Sequence, residues 1–484
     1  MTTPTGIHSF GAYVPWRRLE RAAIARAHHW YNPGLRGLGK GQRAIASWDE
    51  DAVTMAVEAS RVAMAGAVSA PSRLLLASTT LPFADRQNAG LIKEALDLPD
   101  AVASVDVAGS RRAGTSALLL ALSSAGDSLC VASEKPRTQP ASEAELAAGD
   151  AAAAFRVGSG EGVARFVGGH SVTVDFVDQF RAAGSEFDYA WEARWVREEG
   201  YGRLVGGAIG EALRRHGIDA ASVHHFLLAA PMGGVAVRAA RTAGIPERAV
   251  HPGLQAEVGH AGVAAALLLL AHCLEQAGPG ELIVLVGFGQ GCDVLIFRTT
   301  SALAGQQVRR PLKVLLDGGR GTDNYFRYLT INGLLDVERG MRAEMDMKTA
   351  LTGLYRDRRA VLGLVGGRNR RTGTVQYPRS PVPVDAIDGR IGDWEDYRFA
   401  DRPARIVSFT ADRLAFSIDP PGYYGMVDFE GGGRITADFA DMDAVDAVVG
   451  REMRMVFRIK AQDESRGFTR YFWKATPLRA TFGD

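Results

Sequence analysis

The chain of 484 residues has only three cysteines, Cys130, Cys273 and Cys292. So sparse and odd a count excludes a disulfide framework and fits a reducing compartment. Excess charge of either sign is also missing: 56 Lys and Arg face 55 Asp and Glu. That balance excludes a general nucleic-acid binder, which needs clustered cations against phosphates. Long apolar runs are absent. The most apolar stretch, 261–271, stops at His272 and is too short to span a bilayer. The first twenty residues carry no apolar core behind a basic start. The expectation is a cytoplasmic protein with no membrane partner. No Walker phosphate loop and no strand–GxGxxG–helix unit is present, which argues against nucleotide cofactors. The pairs His28–His29 and His224–His225 are adjacent rather than four apart, the wrong spacing for two metal ligands on one helix face.

What is present, up to about residue 300, is an alternation of short apolar runs with Ala-rich helical segments, an α/β pattern. Strands are expected at 73–78, 104–107, 128–132, 150–157, 225–229, 281–286 and 292–298. Helices are expected at 87–96, 113–124, 235–243 and 261–277, the last stopped by Gly278–Pro279–Gly280. The two similar halves point to an internal duplication. Residues 175–201 are charged and aromatic, and read as an inserted cap with Tyr189, Trp191, Glu192, Arg194 and Trp195 clustered in it. From 301 to 360 the chain is charged and helical. Beyond about 400 it turns to short strands, at 404–410, 413–418, 424–429, 433–439, 451–459 and 468–474, as in a small barrel.

Several stretches resemble the thiolase superfamily, on the branch of ketoacyl synthase III and hydroxymethylglutaryl-CoA synthase. They are Gly41–Gln42–Arg43 with Asp49–Glu50–Asp51, the segment Gly109–Leu118 (GSRRAGTSAL), Gly149–Asp150–Ala151–Ala152, Val258–Gly262 (VGHAG) and Gly287–Gly291 (GFGQG). Gly373–Pro378 (GTVQYP) and the strands after it resemble the OB-fold module, with its zinc ribbon, that accompanies thiolase-fold subunits. The resemblance implies an α/β class: a duplicated thiolase fold, layered α-β-α-β-α, followed by a small all-β OB-fold barrel. It implies three segments: 1–300 thiolase-like, 301–360 a helical linker, and 361–484 a degenerate zinc ribbon plus OB-fold.

The same resemblance exposes what the site has lost. The nucleophilic cysteine's position falls on Arg111, the catalytic histidine's on Ala229 and the glutamate's on Thr79. The asparagine of the penultimate loop is replaced by His260. Arginine stays protonated and cannot be a nucleophile. The ribbon's ligand positions read Asn369, Thr372 and, nearby, Pro383, so no structural zinc is expected. The candidate catalytic residues are therefore His260 as acid or base, Arg111 as a cation for an enolate oxygen, and Ser110 as a replacement nucleophile. A second reading makes Arg111 a plug, paired with Glu134, Glu145 or Asp150. Arg43, Arg86, Arg137, Gly289 and Gly291 are the expected contacts for a coenzyme A thioester, which enters as substrate; no bound cofactor is expected. The activity implied is carbon–carbon cleavage or condensation of an acyl-CoA, above all retro-aldol cleavage of a β-hydroxyacyl-CoA. The alternatives are an inactive subunit that scaffolds or channels for a partner enzyme, and acyl transfer by another nucleophile. A homodimer, or a larger complex with a pathway enzyme, is expected.

Overall fold

The computed structural model describes residues 4–124, 126–306, 308–385 and 391–479. Residues 386–390 and 480–484 of the expected C-terminal module lie outside the described residues. The chain forms two compact units. One comprises Met1–Ser47, Asp51–Gly90 and Asp100–Tyr328; the other comprises Trp48–Glu50, Leu91–Pro99 and Leu329–Asp484.

The larger unit is built on nine strands: β1 (Thr5–Tyr13), β2 (Arg73–Ala77), β3 (Ala103–Val107), β4 (Ser128–Glu134), β5 (Ala151–Ser159), β6 (Ala164–Thr173), β7 (His225–Leu228), β8 (Leu282–Phe288) and β9 (Gly291–Thr299). They form one sheet in the order β7-β8-β9-β6-β1-β5-β4-β2-β3. The outer pairs β7/β8, β4/β2 and β2/β3 are parallel, and the pairs between them are antiparallel. β4 and β8 are buried at every residue; β8 is the continuous apolar run expected of a doubly covered sheet, while β4 also buries Ser128, Ser133 and Glu134.

Three helices carry the packing. α1 (Ala52–Ala63) starts on a capping box between Asp51 and Thr54. α2 (Ala113–Ser123) and α3 (Ala265–Leu274) are rich in Ala and Leu. Their small residues let backbones approach: a Cβ on Gly114 would lie 2.5 Å from the Val263 carbonyl oxygen. The layered α/β arrangement of the expected fold is thus present. The expected helix 261–277 is shorter, because Gly262 has φ +49° and Gly262–Ala264 form a 3-10 turn before α3. The cap contains a two-residue hairpin, Gln179–Phe180 with Tyr189–Ala190, and then a helical run.

In the smaller unit, a five-stranded antiparallel sheet is formed by Ala404–Asp412, Gly422–Phe429, Arg434–Asp438, Glu452–Asp463 and Phe468–Pro477. The expected strand at 413–418 is instead the connection between the first two. Asp412 Oδ1 accepts from the Leu414 and Ala415 N–H groups, folding the chain into a turn. Arg458 is fully buried between Glu50 and Asp441, at 3.0 and 2.9 Å. Among the described residues no helix is long and apolar enough to cross a membrane.

Candidate functional site

The elbow before α2 is held by the chain itself. Ser110 Oγ donates to the Gly289 carbonyl at 2.7 Å and accepts from the Arg112 N–H at 3.2 Å. Arg112 donates through Nη1 to Asp293 Oδ1 at 2.7 Å and through Nη2 to Thr173 Oγ1 at 2.7 Å. The other Asp293 oxygen accepts from the Thr115 and Ser116 hydroxyls, and Ser171 donates to Oδ1. This buried carboxylate lies against the first turn of α2, where free N–H groups favour negative charge.

The glycine loops pack on that elbow. A Cβ on Gly289 would lie 3.0 Å from the backbone nitrogens of Arg111 and Arg112. One on Gly291 would run into the Val172 carbonyl, and one on Gly287 into the Thr115 hydroxyl. Gly289 and Gly291, expected as contacts for a CoA thioester, are required as glycine by the protein's own packing, because its backbone lies where a Cβ would stand.

Three of the four altered family positions meet at one cavity. Arg111, Ala229 and His260 line it, together with Tyr201, Val286 and Phe288. Its volume of about 20 Å³ is room for about one water. His260 Nδ1 accepts from the Gly262 N–H at 3.2 Å, which leaves the ring proton on Nε2. Burial, reinforced by Arg111, lowers the His260 pKa to about 3, while a hydrogen bond to the Ala229 backbone opposes the shift. The imidazole is therefore neutral at physiological pH, a donor rather than an available base.

Arg111 makes no hydrogen bond and no ion pair among the described residues, and its Nε is buried. It does not pair with Glu134, Glu145 or Asp150. Glu134 accepts from Ser78 and Thr79, Glu145 from Tyr325 and Ala141, and Asp150 from the Ala46 N–H. The carboxylate that feels Arg111 is Asp178 in the cap, whose pKa is raised by burial against that attraction.

Thr79, the fourth position, lies apart. Its hydroxyl donates to Glu134 Oε1 at 2.6 Å and its N–H to Oε2 at 2.9 Å. Glu134 nonetheless reaches the His260 loop, since a Cβ on Gly262 would sit 2.6 Å from Glu134 Cγ.

The remaining candidates divide. Ser110 is committed to Gly289, with no histidine bonded to its hydroxyl. Arg43 is 1% exposed, bonded to the Glu145 carbonyl and stacked on Tyr328. It is removed as a phosphate contact, because Glu145 and Asp150 draw it into the interior. Arg86 lies over the Phe83 ring. Arg137 is exposed, and Arg181 and Asp188 are its charged neighbours. In the cap, Tyr189, Trp191 and Trp195 are about half exposed, with Trp195 stacked on Phe176. All three thiols are buried; burial pushes Cys130 and Cys273 up to about 12. At the ribbon position, Asn369 Oδ1 accepts from the Arg371 and Thr372 N–H groups, so a side-chain amide holds the turn.

Sequence reasoning missed Asp293, Asp178 and Tyr201. Asp293 left a signal, a lone acid in the apolar run Cys292–Phe297. Asp178 and Tyr201 left none, because only the path of the cap brings them to the elbow.

A family model described as the ChsH2 C-terminal OB-fold domain matches residues 397–458. The hydroxymethylglutaryl-CoA synthase of Aeropyrum pernix is 29% identical over 347 residues, covering 69% of this chain and 96% of that protein. The one of Caldivirga maquilingensis is 30% identical over 315 residues, covering 62% and 89%. Among solved structures, MvaS in complex with 3-hydroxy-3-methylglutaryl coenzyme A matches with a TM-score of 0.60 at 20% identity, covering 69% of this chain and 92% of that one. The 3-oxoacyl-(acyl carrier protein) synthase III of Pseudomonas aeruginosa matches with a TM-score of 0.55 at 21% identity, covering 61% and 98%. Both structures share the fold.

Proposed function

The chain belongs to the hydroxymethylglutaryl-CoA synthase family of the thiolase superfamily, and from that premise we propose that it makes or breaks a carbon–carbon bond in an acyl-CoA without an acyl-enzyme. Retro-aldol cleavage of a β-hydroxyacyl-CoA is the reaction we assign. The hydroxyl gives up its proton, the Cα–Cβ bond breaks, and a carbonyl product leaves beside a thioester enolate. Protonation of that enolate at Cα yields the shortened acyl-CoA. Condensation is the same path reversed.

The observation that carries this reading is an imbalance of donors. Among the described residues, the cavity lining brings together a guanidinium with no hydrogen-bonded acceptor and a neutral imidazole, and includes no cysteine. An enolate oxygen is what such a site stabilises. Arg111 supplies the charge. The Nε2–H of His260, held at rest against the Ala229 backbone, is the second donor. Asp178, whose basicity burial raises against the pull of Arg111, is the base in this reading. Arg86 and Arg137 are its contacts for the CoA phosphates. The reading includes a homodimer: β3 is one of the two edges of the nine-stranded sheet, and Val105 on it is 47% exposed.

Incubation with a panel of β-hydroxyacyl-CoAs tests it. Cleavage without a mass adduct on the protein is expected, with loss of about 10²–10³ in kcat for His260→Ala, the usual cost of one such donor. Full activity in both His260→Ala and Arg111→Ala overturns it. A second reading, an inactive subunit serving a partner enzyme, is favoured by the glycine loops being filled by the chain's own atoms. Turnover by the isolated chain refutes that one.

A further inference from the structure

The segment Val196–Val205 is a π-helix of ten residues, running into the α-helix Gly206–Arg215. π-helical turns are rare, short and concentrated at functional sites. This one presses on the site. A Cβ on Gly200 would lie 2.6 Å from Phe288 Cζ and 3.1 Å from Phe176 Cε1, so glycine is what lets the helix approach. The next residue, Tyr201, then packs on Phe288, ring centroids 4.5 Å apart, and lines the cavity beside Arg111 and His260.

Tyr201 is 6% exposed. Its hydroxyl makes no hydrogen bond among the described residues, while its ring is held against Phe288. Burial raises its pKa, so the group stays an O–H across physiological pH. The same cavity is lined by Arg111, which also lacks an acceptor among the described residues. Two unpartnered donors from different elements thus share one water-sized space.

We propose that the Tyr201 hydroxyl touches the substrate as the third donor to the enolate oxygen, alongside Arg111 and His260, and that the π-helix exists to deliver it. This assignment rests on the enolate reading above.

The test uses the full-length chain and Tyr201→Phe, which removes one oxygen. The melting temperature of the variant is expected to be at or above that of the wild type, because no protein hydrogen bond is lost. Two probes follow: exchange of the acetyl-CoA methyl hydrogens in D2O, which reports enolate formation, and binding of a nitroethyl thioether of CoA, whose nitronate anion mimics the enolate. Exchange is expected to fall about 10²–10³-fold. Nitronate affinity is expected to fall about tenfold or more, with CoA affinity unchanged. A variant that exchanges within about threefold of wild type and binds the nitronate equally overturns the role of Tyr201 alone. A wild-type chain that neither exchanges acetyl-CoA nor binds the nitronate overturns the enolate reading and this assignment with it.

Discussion

Replacing Asp293 by alanine tests the account of the elbow most directly. Asp293 is fully buried and accepts four side-chain hydrogen bonds, from Arg112, Thr115, Ser116 and Ser171. The Arg112 side chain is only 11% exposed, and Asp293 is its ion-pair partner. Removing one member of a buried pair leaves the other charge uncompensated, which costs about 3–5 kcal/mol. The three stranded hydroxyls do not add fully, because the space vacated by the carboxylate admits water. Two compact units in one chain can unfold separately. The assay is therefore local: hydrogen-exchange mass spectrometry on peptides covering α2 and β9. A loss of 3–5 kcal/mol speeds global-type exchange there by about 10²–10⁴. Acceleration below about fivefold refutes the claim that this pair holds the elbow. The double variant Arg112→Met/Asp293→Leu is expected to recover most of the loss, since an apolar pair of similar volume needs no partner. Failure of that recovery places the penalty in packing rather than charge.

Three further outcomes are expected. His260 takes a proton near 6.5 when unfolded and at about 3 when folded, so the unfolded state binds more protons between those values and stability falls as pH drops from 6.5 toward 3; His260→Gln should flatten the melting temperature against pH over that window. Gly149→Ala drives a Cβ into the Val258 carbonyl beneath the His260 loop, and should destabilise by about 1–3 kcal/mol; NMR of the His260 ring checks whether its hydrogen bond to the Gly262 N–H is lost. In the smaller unit, Arg458→Met leaves Glu50 and Asp441 buried without their cation, and should cost about 3–5 kcal/mol in urea melts followed by exchange of peptides from 452–477.

How much could be read in advance depended on the range of the interactions. The run Leu282–Phe288 and the Ala/Leu helix 113–123 declare themselves locally, because composition and length suffice for buried elements. The strand expected at 413–418 failed for an equally local reason, the Asx turn of Asp412, which propensity alone does not weigh. Arg43 is expected at the CoA phosphates because a charged side chain is usually accessible, yet the structure buries it. Glu145 and Asp150, over a hundred positions along the chain, compensate it in the interior. The unusual helix at Val196–Val205 left only its glycines as a trace, and those read equally well as loop.

The loss of the family's nucleophile needed no structure. The covalent chemistry of a side chain is fixed by its identity, and no fold makes an arginine attack a thioester. The partners of each arginine were decided only by the tertiary structure. Arg111 and Arg112 are neighbours of the same type, and the sequence offers nothing to tell them apart. Arg112 meets Asp293 on a strand 181 positions away and becomes structural. Arg111 meets no acceptor among the described residues and faces the cavity with His260 and Tyr201. Burial and pairing depend on distances between segments remote in sequence, and those distances exist only once the sheet and the cap have assembled.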